Sequence, residues 1–186
     1  ARGQKRILLT MATGTGKTFV ALQIAWKIWK PAKTKPRILY LVDRTFLLEQ
    51  ARDDYFSKVF GKAVSGIKEK ITGDIVKSRD IYFSLYQGIS DRKEAEGIYK
   101  KYSSDFFDYV IIDECHRGSA KDDGNWRAIL DYFQSAVHVG MTATPRSKDT
   151  INTYRYFKKP VYVYTLKQGI DDGFLSPYSV IRVIPD

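Results

Sequence analysis

The sequence predicts an α/β fold with a mostly parallel central sheet covered by helices on both faces. Three observations predict it. Short apolar runs of strand length recur along the chain, stretches with helical spacing separate them, and a glycine-rich loop joins the first run to the first helical stretch. A chain of 186 residues can bury one core of its own without covalent staples.

Taken in order, Arg6 to Thr10 is an apolar run that ends in the glycine-rich turn. Val20, Ile24 and Ile28 recur at i, i+4 and i+8, which puts a helix over Phe19 to Lys30. Pro31 and Pro36 then bracket a basic loop ahead of a second strand, Ile38 to Val42, and a helix over Phe46 to Phe56 follows. Ser57 to Arg79 is polar and punctuated by glycine, so it carries no assignment; Ile81 to Leu85 is the next strand. Tyr109 to Ile112 is a buried-type run that stops at Asp113. Trp126, Ile129, Leu130 and Phe133 form an amphipathic helical pattern, and Val137 to Met141 is the strand after it. The domain is expected to span 1–168. Residues 169–186, with a DDG turn and two prolines, read as an exit segment toward further material.

Composition narrows the classes. Apolar residues make up 44% and charged residues 28%, which excludes a disordered tail, a collagen-like repeat or a disulfide scaffold. Lysine and arginine number 31 against 21 acids, a net charge of +10, which fits a polyanionic partner or simply a solvated basic surface. Cys115 is the single cysteine, so no internal disulfide can form and a reducing, cytoplasmic setting is expected. No apolar stretch approaches the ~20 residues of a membrane span, and the first residues lack the apolar core of a signal peptide. The basic opening runs straight into a strand, as if cut from a longer chain.

In such sheets ligands bind beyond the carboxyl ends of the strands. Met11 to Thr18, MATGTGKT, has the spacing of a phosphate-binding loop between a strand and a helix. Thr13, Gly14, Thr15 and Gly16 would curl their amides inward, Lys17 would reach the β- and γ-phosphates, and Thr18 would offer a hydroxyl to Mg²⁺. A glycine turn with a solvated lysine is the alternative. Met11 stands where the usual pattern has Gly or Ala.

Further along, DECH (113–116) puts two carboxylates at the tip of a buried strand. Asp113 would hold Mg²⁺, and Glu114 would polarise an attacking water as general base for γ-phosphoryl transfer. Solvated acids at a strand-to-loop junction are the alternative. A zinc site would need four ligands, and His116 and His138 are the only histidines. Cys115 is read as packing.

Three blocks stand in order: MATGTGKT, DECHRG at 113–118 and TATP at 142–145. Together they resemble motifs I, II and III of the superfamily 2 helicases and translocases, whose first RecA-like motor domain holds all three. LVDRTFLLEQ (41–50), FSLYQ (83–87) and GIDDGFLSPY (169–178) are similar to blocks of the motor subunit of type I restriction enzymes. The resemblance implies a RecA-like phosphate-loop ATPase that uses ATP and Mg²⁺. It implies that His116, Thr142 and Thr144 couple the nucleotide site to domain movement. Arg44, Thr45, Tyr86 and Gln87 would face the backbone of double-stranded DNA, gripping phosphates without reading bases. Implied partners are a second RecA-like domain carrying arginine fingers, and the modification and specificity subunits of a restriction complex. Without those fingers, weak hydrolysis by this chain alone is expected. The family's adenine-recognising glutamine block lies upstream of motif I, and Gln4 does not match it. Another superfamily 2 helicase or repair motor, a small-molecule kinase, or a basic nucleic-acid-binding module with a non-hydrolytic nucleotide site remain as alternative readings.

Overall fold

The computed structural model describes residues 3–66, 76–89, 97–115, 123–145 and 153–177. Seven strands form one sheet: β1 (Arg6–Met11), β2 (Ile38–Val42), β3 (Val64–Gly66), β4 (Ile81–Leu85), β5 (Tyr109–Asp113), β6 (Val137–Thr142) and β7 (Tyr162–Tyr164). Their spatial order is β3-β4-β2-β5-β6-β1-β7, and every neighbouring pair is parallel. The α/β class with a RecA-like sheet is therefore what the chain adopts.

Parallel strands need long crossovers, and the helices in those crossovers cover both faces. One face packs Leu9, Met11, Ile38, Tyr40, Val42, Ile111, Val139 and Met141 under α1 (Lys17–Trp29) and the helix that begins as α2 (Thr45–Glu49). That helix passes through a widened π-type turn, Gln50–Phe56, and ends as α3 (Ser57–Phe60). The other face packs Leu8, Leu39, Leu41, Val110 and Ile112 against α4 (Tyr86–Ile89), α5 (Asp123–Tyr132) and α6 (Thr153–Phe157). Successive strand residues thus alternate between two cores, so nearly the whole of β2 and β5 is buried.

The helix after the phosphate loop sits slightly rotated from the sequence pattern. Val20, Ile24 and Ile28 are half-buried, and Ala21, Leu22 and Ala25 press on the sheet. Small alanines let the helix axis approach the strands, so close packing rather than hydrophobic bulk sets the buried face. Trp26, Trp29 and Phe60 close this core at its lower rim, with Trp29 Nε1 donating to Asp80 Oδ2 at 2.8 Å. On the opposite face His138 is buried with its partners in place: Nε2–H donates to the Phe133 carbonyl (2.9 Å), which leaves Nδ1 to accept from Tyr156 Oη (2.5 Å). Arg6 and Arg127 lie 4.4 and 4.2 Å from the Tyr156 ring centroid.

The 168/169 division expected from sequence falls inside α7 (Leu166–Asp171), a helix whose start is fixed by a reciprocal Thr165–Gln168 capping box. Among the described residues, no helix is long and apolar enough to cross a membrane.

Candidate active site

The loop after β1 curls through two left-handed glycines, Gly14 (φ 81°) and Gly16 (φ 83°). Only glycine adopts that conformation without steric cost, and its use here aims the chain back over the start of α1, where Gly16 is the cap. Thr15 closes the turn with its hydroxyl on the Ala12 carbonyl at 2.6 Å. The amide of Ala12 is anchored to the Tyr164 carbonyl of β7 at 3.0 Å. Lys17 follows as the first residue of α1 and is only 9% exposed.

Buried lysines need a partner, and this one has Glu114: Nζ and Oε1 are 3.3 Å apart, with the Glu114 side chain 14% exposed. Glu114 is a non-glycine residue at φ 51°, a backbone state that costs on the order of 1–2 kcal/mol. That turn swings its carboxylate off the end of β5 toward the loop after β1. The Asp113 carboxylate stays behind, accepting from the Glu114 amide at 2.9 Å and from Tyr40 Oη at 3.4 Å.

Burial raises the Asp113 carboxyl to about 6, with the neighbouring Glu114 charge adding to the rise and Lys17 opposing it. Two carboxylates and one ammonium leave an excess of negative charge in a desolvated niche, and a divalent cation would relieve it. Thr18 joins the same group, because it lies beside Tyr40, whose own phenol is pushed well above its usual value by burial first and then by Asp113. Thr18, Tyr40 and Asp113 therefore converge, and the donor set fits Mg²⁺, which takes one or two carboxylate or hydroxyl oxygens and completes its shell with phosphate and water. Among the described residues no cluster of three His, Cys, Asp or Glu side chains could hold a metal alone.

β6 lies between β5 and β1 and carries the third block. Thr142 is buried at its end and accepts from the Thr144 amide at 3.1 Å, while Thr144 itself is exposed. The Cys115 amide donates to the Met141 carbonyl at 3.1 Å, so the acidic strand end and the TATP block share main-chain bonding. Cys115 is buried, and burial holds its thiol far above the usual value; it is packing.

The residues read as DNA-facing separate. Arg44 is 66% exposed beside Asp43 (3.7 Å), and Thr45 is exposed at the start of α2. Tyr86 corrects the expectation: it is 5% exposed, and its hydroxyl donates to the Asp113 main-chain carbonyl. A buried phenol cannot grip a phosphate; its place is to steady the acidic strand end. His116 lies outside the described residues, as does the side chain of Gln87. Tyr40 was missed by sequence reasoning. Its one signal is a hydroxyl in the middle of the otherwise aliphatic run ILYLV.

Sheet order, phosphate loop and acidic strand end together define the RecA-like first motor domain of the superfamily 2 helicases. Within that class the chain belongs to the family described as "Type III restriction enzyme, res subunit", whose model matches residues 1–147. It is 49% identical over 184 residues to the type I restriction enzyme EcoAI endonuclease subunit of Escherichia coli, covering 98% of this chain and 22% of that protein. A solved fragment described as an HsdR subunit of a type I restriction enzyme from Vibrio vulnificus YJ016 superposes with a TM-score of 0.71 at 48% identity, covering 95% of this chain and 29% of the fragment. The UvsW helicase of bacteriophage T4 shares the fold at 18% identity, with a TM-score of 0.62 over 87% of this chain and 54% of UvsW. The chain thus spans under a third of either restriction relative.

Proposed function

We propose that this chain is the ATP-binding half of a DNA-translocating motor in the restriction subunit of a type I restriction-modification enzyme. The observation that carries the reading is the 3.3 Å pair between Lys17, at the end of the phosphate loop, and Glu114, at the end of β5. It joins the group that would hold the γ-phosphate to the group that would activate water.

Lys17 binds the β- and γ-phosphate oxygens, and the amides of residues 13–18 cradle the rest of the triphosphate. The incoming γ-phosphate competes with Glu114 for the ammonium. Glu114 is then released to orient water and accept its proton, so the base is set free only when its substrate is present. Mg²⁺, when bound, neutralises charge developing on the phosphate oxygens, and Thr18 and Asp113 are the residues that would hold it. Tyr40 orients both. Thr142 and Thr144 report the nucleotide state toward a second RecA-like domain, whose arginine would complete the site. Arg44 and Thr45 meet the duplex backbone. The modification and specificity subunits are the further partners, and the cytoplasm is the compartment.

The test is ATP turnover by the parent restriction subunit on duplex DNA. Glu114→Gln should keep Mg-ATP binding and lose about 10²- to 10⁴-fold in rate; Lys17→Ala should lose binding. Wild-type turnover by Glu114→Gln would refute the assignment.

A further inference from the structure

Residues 164–175 lie against the phosphate loop on the side away from the acids. β7 pairs with β1 through Leu9↔Tyr162 and Met11↔Tyr164, and the Tyr164 carbonyl receives the Ala12 amide. After α7 the chain turns back, with the amides of Phe174 and Leu175 both donating to the Gly169 carbonyl at 2.9 Å. Leu175 fills the space between helix and loop. A methyl placed on Gly14 would stand 3.1 Å from its Cδ2, and one on Gly169 would stand 2.8 Å from its Cδ1 and 3.2 Å from Thr15 Cγ2.

With Leu175 turned onto the loop, its neighbour Phe174 is left 70% exposed. Its ring is not loose: it stands edge-on to Tyr164 at 6.5 Å, and Tyr164 Oη is fixed by a 2.6 Å bond to Asp172 Oδ2. Phe19, in the first turn of α1 two residues past Lys17, is 53% exposed. Two large exposed aromatic side chains therefore lie near the loop, Phe19 in the first turn of α1 and Phe174 next to the Leu175 that packs on Gly14.

Sheet order says which part of a nucleotide they meet. Asp113 and Glu114 end β5, which lies on the β6 side of β1, whereas Phe174 and Tyr164 lie on the β7 side. A triphosphate lying across the loop with its γ end at Lys17 and the acids would carry its base toward the β7 side.

We propose that Phe174, positioned by Tyr164 and Leu175, forms with Phe19 the surface on which the base of the bound nucleotide stacks. The assignment rests on the nucleotide reading above. Stacking rewards ring area rather than edge pattern, so this surface favours a purine over a pyrimidine. It supplies base affinity from the carboxyl-terminal side of the loop.

Binding of Mg-ATP, Mg-CTP and Mg-tripolyphosphate to the chain, followed by titration calorimetry, tests both levels. Phe174→Ala should weaken ATP by on the order of tenfold, shrink the ATP-to-CTP preference, and leave tripolyphosphate unchanged; Phe174→Trp should restore ATP. Lys17→Ala should weaken all three ligands. If tripolyphosphate binds in a Lys17-dependent way while Phe174→Ala and Phe19→Ala bind ATP like the wild type, the stacking surface is wrong and the phosphate loop stands. If tripolyphosphate fails to bind the wild type, both fall.

Discussion

Gly140→Ala probes how tightly the acidic strand end is packed. Gly140 sits in β6, and a methyl on it would stand 2.7 Å from Phe157 Cζ, 2.9 Å from Phe157 Cε2 and 3.1 Å from Cys115 Sγ. Non-bonded carbons prefer about 3.5–4.0 Å. Phe157 and Cys115 are both fully enclosed, so neither can swing into solvent to make room. Overpacking a core by one methyl costs about 1–3 kcal/mol. In a chain of this length each kcal/mol lowers Tm by roughly 2–4 °C, which places the expected loss on the order of 5 °C. Urea denaturation should show a lower midpoint with an unchanged m value. Phe157→Leu removes the obstructing ring atoms, so the double variant should lose less than the two single losses added, with a coupling of about 1 kcal/mol or more. A wild-type midpoint for Gly140→Ala, or strict additivity in the cycle, would refute this packing.

Two further expectations concern the acids. Asp113 has its carboxyl at about 6 in the folded protein against an ordinary 3.8, so the native state holds that proton more tightly than the unfolded chain. Its contribution is therefore greatest below pH 4, falls as pH rises through the window from 4 to 6, and stays lost above it. In metal-free buffer, Asp113→Asn should gain on the wild type by about 1–3 kcal/mol between pH 4 and pH 7, read as the difference of urea midpoints; a gap that does not change with pH would contradict it. Tyr86→Phe should destabilise by about 1–2 kcal/mol through loss of its bond to the Asp113 carbonyl, and unaltered thermal unfolding would argue against that bond.

The strands most legible in sequence are those buried on both faces. β2 and β5 read as unbroken apolar runs because each successive side chain enters one core or the other. The three-residue strands carry no assignment from sequence: β3 and β7 are the sheet's edges, and although residues 161–164 are strand-prone in composition, Tyr162 and Val163 are exposed, so no buried face marks the place of β7 in the sheet. Within the site, the glycines, Lys17 and the acid pair are local in sequence and carry their chemistry in their spacing. Tyr40 and Tyr86 act on Asp113 from 73 and 27 residues away, and nothing at positions 40 or 86 marks a partner so distant. The close approaches at Gly140 and Gly169 belong to the same class, since a glycine in a strand or helix does not say what presses against it.

The intervening strand would open a space between loop and acids where a phosphate could enter. β1 and β5 are not neighbours; β6 separates them, and two strand spacings amount to about 9.5 Å. Main chain cannot close that gap, so it is bridged by the long side chains of Lys17 and Glu114 meeting at 3.3 Å. The floor beneath the bridge is the end of β6, where Thr142 is buried and holds the Thr144 amide. A γ-phosphate entering between Lys17 and Glu114 would rest above that floor, so a change in its charge or position would reach the TATP turn across one residue. In this sheet order the strand that would make space for the substrate would also be the strand that senses it, and a motor domain needs both from one place.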